Sequence, residues 1–128
     1  MEWMSAAAVF VGGGLGAVLR YYLERFLAPR RTSDALISAV FVINVLGSLA
    51  LGIVGAAVNV LGGQDAVAYA GLSLGLLGGF TTFSTAMVEA VQALLAGRYA
   101  RFVMLWLVQP TLSLLALIAG YTAAAAVL

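Results

Sequence analysis

The residues with the most chemistry lie in one stretch. Gly78-Gly79-Phe80-Thr81-Thr82-Phe83-Ser84-Thr85 sets two adjacent glycines before four hydroxyl side chains within five positions. Adjacent glycines favour a break in a helix, and a break frees backbone carbonyls. Carbonyls freed at membrane depth can hold a cation, as the discontinuous helices of transporters do. Hydroxyls at the same depth can donate to an anion. The competing reading is that each Ser or Thr bonds back to its own helix. Asn44 is a second polar group in an apolar run, either glue between helices or an NH2 presented to an anion. Gln109 and Ser113 are four apart and share one helical face beside Pro110, which disturbs the local hydrogen bonds. Glu89 is an acid inside an apolar segment and a functional candidate on that ground. Arg20, followed by Tyr21 and Tyr22, could snorkel to an interface.

The elements that must position these groups follow from composition. The chain has 128 residues, 64% hydrophobic and 9% charged, against roughly a quarter charged in a soluble domain. The charged residues separate four long uncharged runs, each near or above the ~20 residues that a helix needs to cross a bilayer. Such segments must satisfy their own backbone hydrogen bonds, so helices are expected, and no strand-like alternation is present. The reading is a single all-α membrane domain over 1–128. Its four transmembrane helices lie at about 4–26, 35–58, 66–95 and 102–126, and the third is broken near its middle. Ala28 to Asp34 and Val60 to Gln64 read as connections, and Gly97 as the end of the third helix. Gly12, Gly13, Gly14 and Gly16 let another backbone come close to the first helix.

With no cysteine and no histidine, disulfides, thiolate metal sites, haem ligation by His and imidazole acid–base chemistry are excluded. There is no Ser-His pair and no phosphate-binding glycine loop with Lys, so an enzyme is not expected. Glu2 and the lack of a basic leader argue against reading the first run as a cleaved signal peptide.

Three motifs resemble the Fluc, or CrcB, family of fluoride channels over nearly the whole chain. They are Gly13-Gly14-Leu15-Gly16-Ala17 with Arg20-Tyr21; Asn44-Val45-Leu46-Gly47-Ser48; and Gly78 to Thr85 followed by Glu89. The resemblance implies an antiparallel, dual-topology dimer in the cell inner (plasma) membrane. Its two pores would export fluoride passively from the cytoplasm and so reduce its toxicity. It implies an anion pathway of Asn44, Thr82, Phe83, Ser84, Thr85, Gln109 and Ser113. It also implies a structural Na+ at the dimer centre, held by the carbonyls of Gly78 and Gly79. NH and OH donors would replace lost hydration, and the positive edge of the Phe83 ring would face the anion.

Three positions depart from the family pattern. Ala86 stands where a second aromatic is frequent, Val40 where Thr is frequent, and Gln109 where Ser is usual. One pore could therefore be incomplete or lined differently. All six arginines lie in or beside the connections that follow the first and third helices, which predicts one fixed orientation with both termini outside. That leaves open a homodimer or a heterodimer with a paralogue of opposite bias. The alternatives to a channel are a small multidrug-type proton-coupled transporter and a non-transporting membrane anchor. The first lacks an acid between Glu2 and Glu24, and the second lacks haem ligands.

Overall fold

The computed structural model describes residues 2–28, 35–61 and 66–128. Arg30, Arg31, Asp34, Asp65, most of the first expected connection and part of the second lie outside the described residues. Among the described residues the chain is all helix. Helix α1 spans Glu2–Leu27 and α2 spans Ala39–Leu61. The third span divides into α3, residues 66–80, and α4, Phe83–Leu95. The fourth, α5, covers 99–127. Four of these stretches are long and apolar enough to cross a membrane, with α3 and α4 counting as one.

The expected spans are recovered with shifted ends. The second helix starts at Ala39 rather than at 35, because the Ser38 hydroxyl accepts the Phe41 N–H at 3.1 Å and caps it. The fourth begins at Tyr99 rather than 102, two residues after Gly97, whose φ of 73° turns the chain.

Helix α1 packs mainly on α3, and α2 mainly on α5, while α4 lies against the first turns of α5. Small residues make these pairings close. A Cβ on Gly16 would meet the backbone of Leu76 and Phe80, one on Gly79 that of Gly13, and one on Gly52 that of Leu117. In lipid, where apolar burial does not drive helices together, such contact is what holds them. The core is correspondingly thin, with Ile43, Ala56, Ala86 and Leu105 fully buried.

Two stretches wind more widely than an α-helix. Ala70–Leu77 is π-helical, and so is Met104–Val108. The second lies immediately before Gln109-Pro110. Proline lacks an N–H and its ring crowds the carbonyl four residues back. The wider turn relieves that crowding, and the Gln109 N–H bonds to Met104 O, five residues back.

Arg101 donates to the carbonyl of Ala35, so residues 35–38 before α2 lie beside the start of α5. Arg101 also pairs with Glu89 at 3.7 Å. Exposed aromatics include Trp3, Tyr21, Tyr22, Phe26, Tyr99 and Trp106, the residue types of an interfacial belt.

Candidate functional site

The break in the third span is where the polar groups converge. It does not fall at the two glycines. Gly78–Phe80 is still helical, and the chain leaves the helix at Thr81 (φ −82°, ψ 156°) and Thr82 (φ −151°, ψ 122°). The expectation that Gly78-Gly79 makes the break is corrected. Gly79 lies against the α1 backbone, which explains the missing side chain there, whereas Gly78 is exposed and meets nothing that would exclude one.

Asn44 on α2 makes the break tenable. Its Nδ2 donates to Thr82 O at 2.7 Å, and its Oδ1 accepts the Thr82 N–H at 2.8 Å. One buried amide thus replaces the partner that the Thr82 N–H would have had in a continuous helix, and gives the Thr82 carbonyl, which as the N-cap carbonyl already accepts the first bond of α4, a second donor. Left unpaired in an apolar surrounding, that N–H would cost about 1–3 kcal/mol. Of the two readings open for Asn44, glue is therefore realised in full.

The four hydroxyls divide. The Thr81 hydroxyl donates back to Leu77 O at 3.0 Å, as membrane-helix threonines commonly do. Thr82 caps α4: its Oγ1 accepts the Thr85 N–H at 3.3 Å and is bonded to Thr85 Oγ1 at 3.2 Å and Ser84 Oγ at 3.3 Å. The result is a hydroxyl cluster at the start of α4, with Ser84 on the exposed side.

Beside the break is an open cavity of about 230 Å³. From α2 it receives Asn44 and Ser48; from the break Thr81, Thr82 and Phe83; and from α5 Gln109, Pro110 and Ser113. Five residues singled out from sequence therefore meet: Asn44, Thr82, Phe83, Gln109 and Ser113. Phe83 is 67% exposed in a single chain, so its ring stands at the surface rather than in the core. Gln109 is only 3% exposed. Its Oε1 and the Ser113 Oγ are buried without a hydrogen-bond partner. Ser84 and Thr85 do not line the cavity and join it only through Thr82.

Arg20, Gly78, Gly79 and Glu89 also lie off the cavity. Arg20 does not snorkel outward alone. Its Nε donates to Gly79 O at 3.3 Å, and its Nη1 is 3.7 Å from Glu24. Glu89 is part of the Arg101 bridge between α4 and α5. Val40 and Ala86, the two departures outside α5, are 2% and 0% exposed and belong to the core of this chain.

Ser48, Thr81 and Pro110 line the cavity without having been singled out for it. Ser48 was available from spacing, since it lies four residues beyond Asn44 and shares its face. Thr81 and Pro110 were noticed for their effect on backbone, and nothing in their spacing distinguishes lining from bending.

Known proteins with this sequence pattern are numerous. The chain is 38% identical over 97 residues to the fluoride-specific ion channel FluC of Methylobacterium nodulans, which covers 76% of this chain and 77% of that one. It is 38% identical over 101 residues to the channel of the same name in Methylobacterium sp. (strain 4-46), covering 79% and 80%. To FluC 2 of Cutibacterium acnes it is 43% identical over 91 residues, covering 70% and 72%. Residues 7–121 match the family described as CrcB-like protein, Camphor Resistance (CrcB). Four spans, a clamped break in the third and this match over nearly the full length lead to one conclusion: the chain is a multi-pass membrane protein and belongs to the CrcB family.

Proposed function

We propose that the chain is a subunit of a fluoride channel and that fluoride crosses along the cavity between α2, the break and α5. Its family relatives bear that name, and the family's members are channels, not enzymes. The observation that carries the pathway is the break itself: extended backbone at Thr81-Thr82, clamped by Asn44 and opening on a cavity lined by hydroxyl and amide groups. Such backbone is tolerated at membrane depth only where protein or water covers it.

In this reading each residue has a limited task. Asn44 spends one amide hydrogen on Thr82 O and keeps the second for the anion. The hydroxyls joined at Thr82 supply O–H donors, and Ser113 supplies another from α5. The Phe83 ring offers its positive edge. None of these groups titrates near neutral pH, so passage is passive and needs no proton coupling. The flow is outward when cytoplasmic fluoride exceeds external fluoride, across the cell's inner membrane.

An antiparallel dimer would set a second copy against the face that carries Phe83 and Ser84, both exposed in a single chain. A sodium ion at its centre fits part of this chain. The Thr82 N–H goes to Asn44, so the Gly78 carbonyl loses the donor it would have had four residues on. Gly79 fits less well, since its carbonyl already accepts a guanidinium whose charge opposes a cation there. The ion, when bound, would add positive potential near the pores and tie the chains together, with Gly78 as this chain's ligand and the second copy supplying further oxygens.

The test is fluoride efflux from liposomes carrying the purified protein, followed with a fluoride electrode. Rapid efflux that excludes chloride is expected. Equal passage of chloride, or uptake driven only by a proton gradient, would overturn the reading.

A further inference from the structure

We infer that Gln109 and Ser113 hold a water molecule in the cavity, so that fluoride passes this point with that water as one of its ligands rather than bare. The inference rests on the channel reading above. Its starting point is an unsatisfied atom: a pathway for an anion should offer donors, yet the buried amide here leaves its acceptor oxygen unpaired. Gln109 is 97% buried by its 3% exposure, and its Oε1 has no hydrogen-bond partner. One turn further along α5, the Ser113 Oγ is also buried and also unpaired. Both residues line the same cavity.

A buried carbonyl oxygen without a donor is costly, and a bare fluoride beside it would raise that cost by repulsion. Fluoride alone can satisfy Ser113 but not Gln109. A water satisfies both, accepting from the Ser113 O–H and donating one hydrogen to Gln109 Oε1. Its second hydrogen is then free to point at the anion. The cavity has room, since a water needs only ~10–15 Å³ of such space and two to four polar partners. Ser48 on the facing wall is a third candidate partner.

The fold gives this pair a fixed position. Pro110 and the π-helical Met104–Val108 stretch turn Gln109 inward directly behind Leu105, which is fully buried. A serine in place of Gln109 would present a donor to the anion directly. Glutamine, longer and with its buried oxygen unpaired, interposes a solvent molecule instead. This makes Gln109 a determinant of how far fluoride is dehydrated in this particular chain.

The test has two readouts on the intact protein. The first is a high-resolution structure determined in fluoride-free buffer, because fluoride and water scatter alike and only the absence of fluoride identifies the peak as water. A solvent peak within hydrogen-bond distance of both Gln109 Oε1 and Ser113 Oγ is expected. The second is liposome efflux of Gln109→Met, which keeps the length and removes the acceptor, with assembly size and thermal stability measured alongside. Efflux about tenfold below the unsubstituted protein is expected, the size of one lost hydrogen bond. A fluoride-free structure in which Gln109 Oε1 bonds to a protein group, or Gln109→Met conducting at the original rate, overturns the inference. If the unsubstituted protein conducts no fluoride, alone or with a paralogue of opposite charge bias, the channel reading fails, and the water stands or falls on the structure alone.

Discussion

Asn44 holds the Thr82 peptide through both ends of its amide, and that double bond makes its substitution informative. Asn44→Asp keeps the shape and the bond from the Thr82 N–H but sets a carboxylate oxygen against the Thr82 carbonyl. Stability should fall by about 1–3 kcal/mol, from one buried hydrogen bond lost and two acceptor oxygens left facing each other, and fluoride efflux should be lost. Thermal unfolding in detergent and liposome efflux measure the two. Phe83→Ile separates function from folding. The ring is largely exposed in one chain, so its loss leaves this chain's own packing nearly untouched. Efflux should drop strongly at unchanged chain stability, read by the same pair of measurements. At this scale the sequence brought out five of the side chains that meet in the cavity, but not what each bonds to. Asn44 stood out as an amide among apolar residues, but its partner, a peptide 38 positions away, is fixed only by how α2 packs against the break. Gln109 and Ser113 were visible as a face, whereas their lack of partners is a property of assembled neighbours.

For the elements, the third span carries the argument. A broken helix was legible near Gly78-Gly79, yet the break is three residues on, because glycine serves here for close approach to α1 rather than for bending. The distinction is one of tertiary contact: a Cβ on Gly79 would strike Gly13, a fact absent from local sequence. Gly79→Val should therefore separate α1 from α3 and give aggregated or dissociated protein on size exclusion, with a cost of several kcal/mol, above the ~1–3 kcal/mol of ordinary overpacking, because backbone cannot yield. Gly78→Ala, with no close neighbour in this chain, should leave folding of the monomer intact. Thr82→Val removes the α4 cap and the centre of the hydroxyl cluster. A loss of about 0.5–2 kcal/mol is expected from the cap alone, with fluoride efflux reduced further than that loss of stability accounts for. The two π-helical stretches could not be read from the sequence, since the Pro110 disturbance was evident but not its form.

For the molecule as a whole, the question is orientation. Four spans were legible because lipid imposes length and apolarity on every segment, and helix ends differ by a few residues where caps rather than composition decide. Charge adds what the fold alone does not. The bond from Arg101 to Ala35 sets the residues just before α2 beside the start of α5, and in sequence all six arginines lie in or beside the connections that follow the first and third helices. A bias of this kind favours a single orientation in the membrane. An antiparallel pair of identical chains needs both orientations in equal number, and a chain that inserts one way can form such a pair only with a partner of opposite bias. We therefore expect that cells expressing this chain alone, with a cysteine added near the C-terminus, will show labelling by a membrane-impermeant reagent close to complete rather than half. Near-complete labelling, with weak fluoride efflux from liposomes made with that protein and a rise when a paralogue of reversed charge bias is expressed with it, would establish a heterodimer. Half labelling together with robust efflux from the single chain would establish a homodimer, because both orientations would then be present and a second gene would be unnecessary.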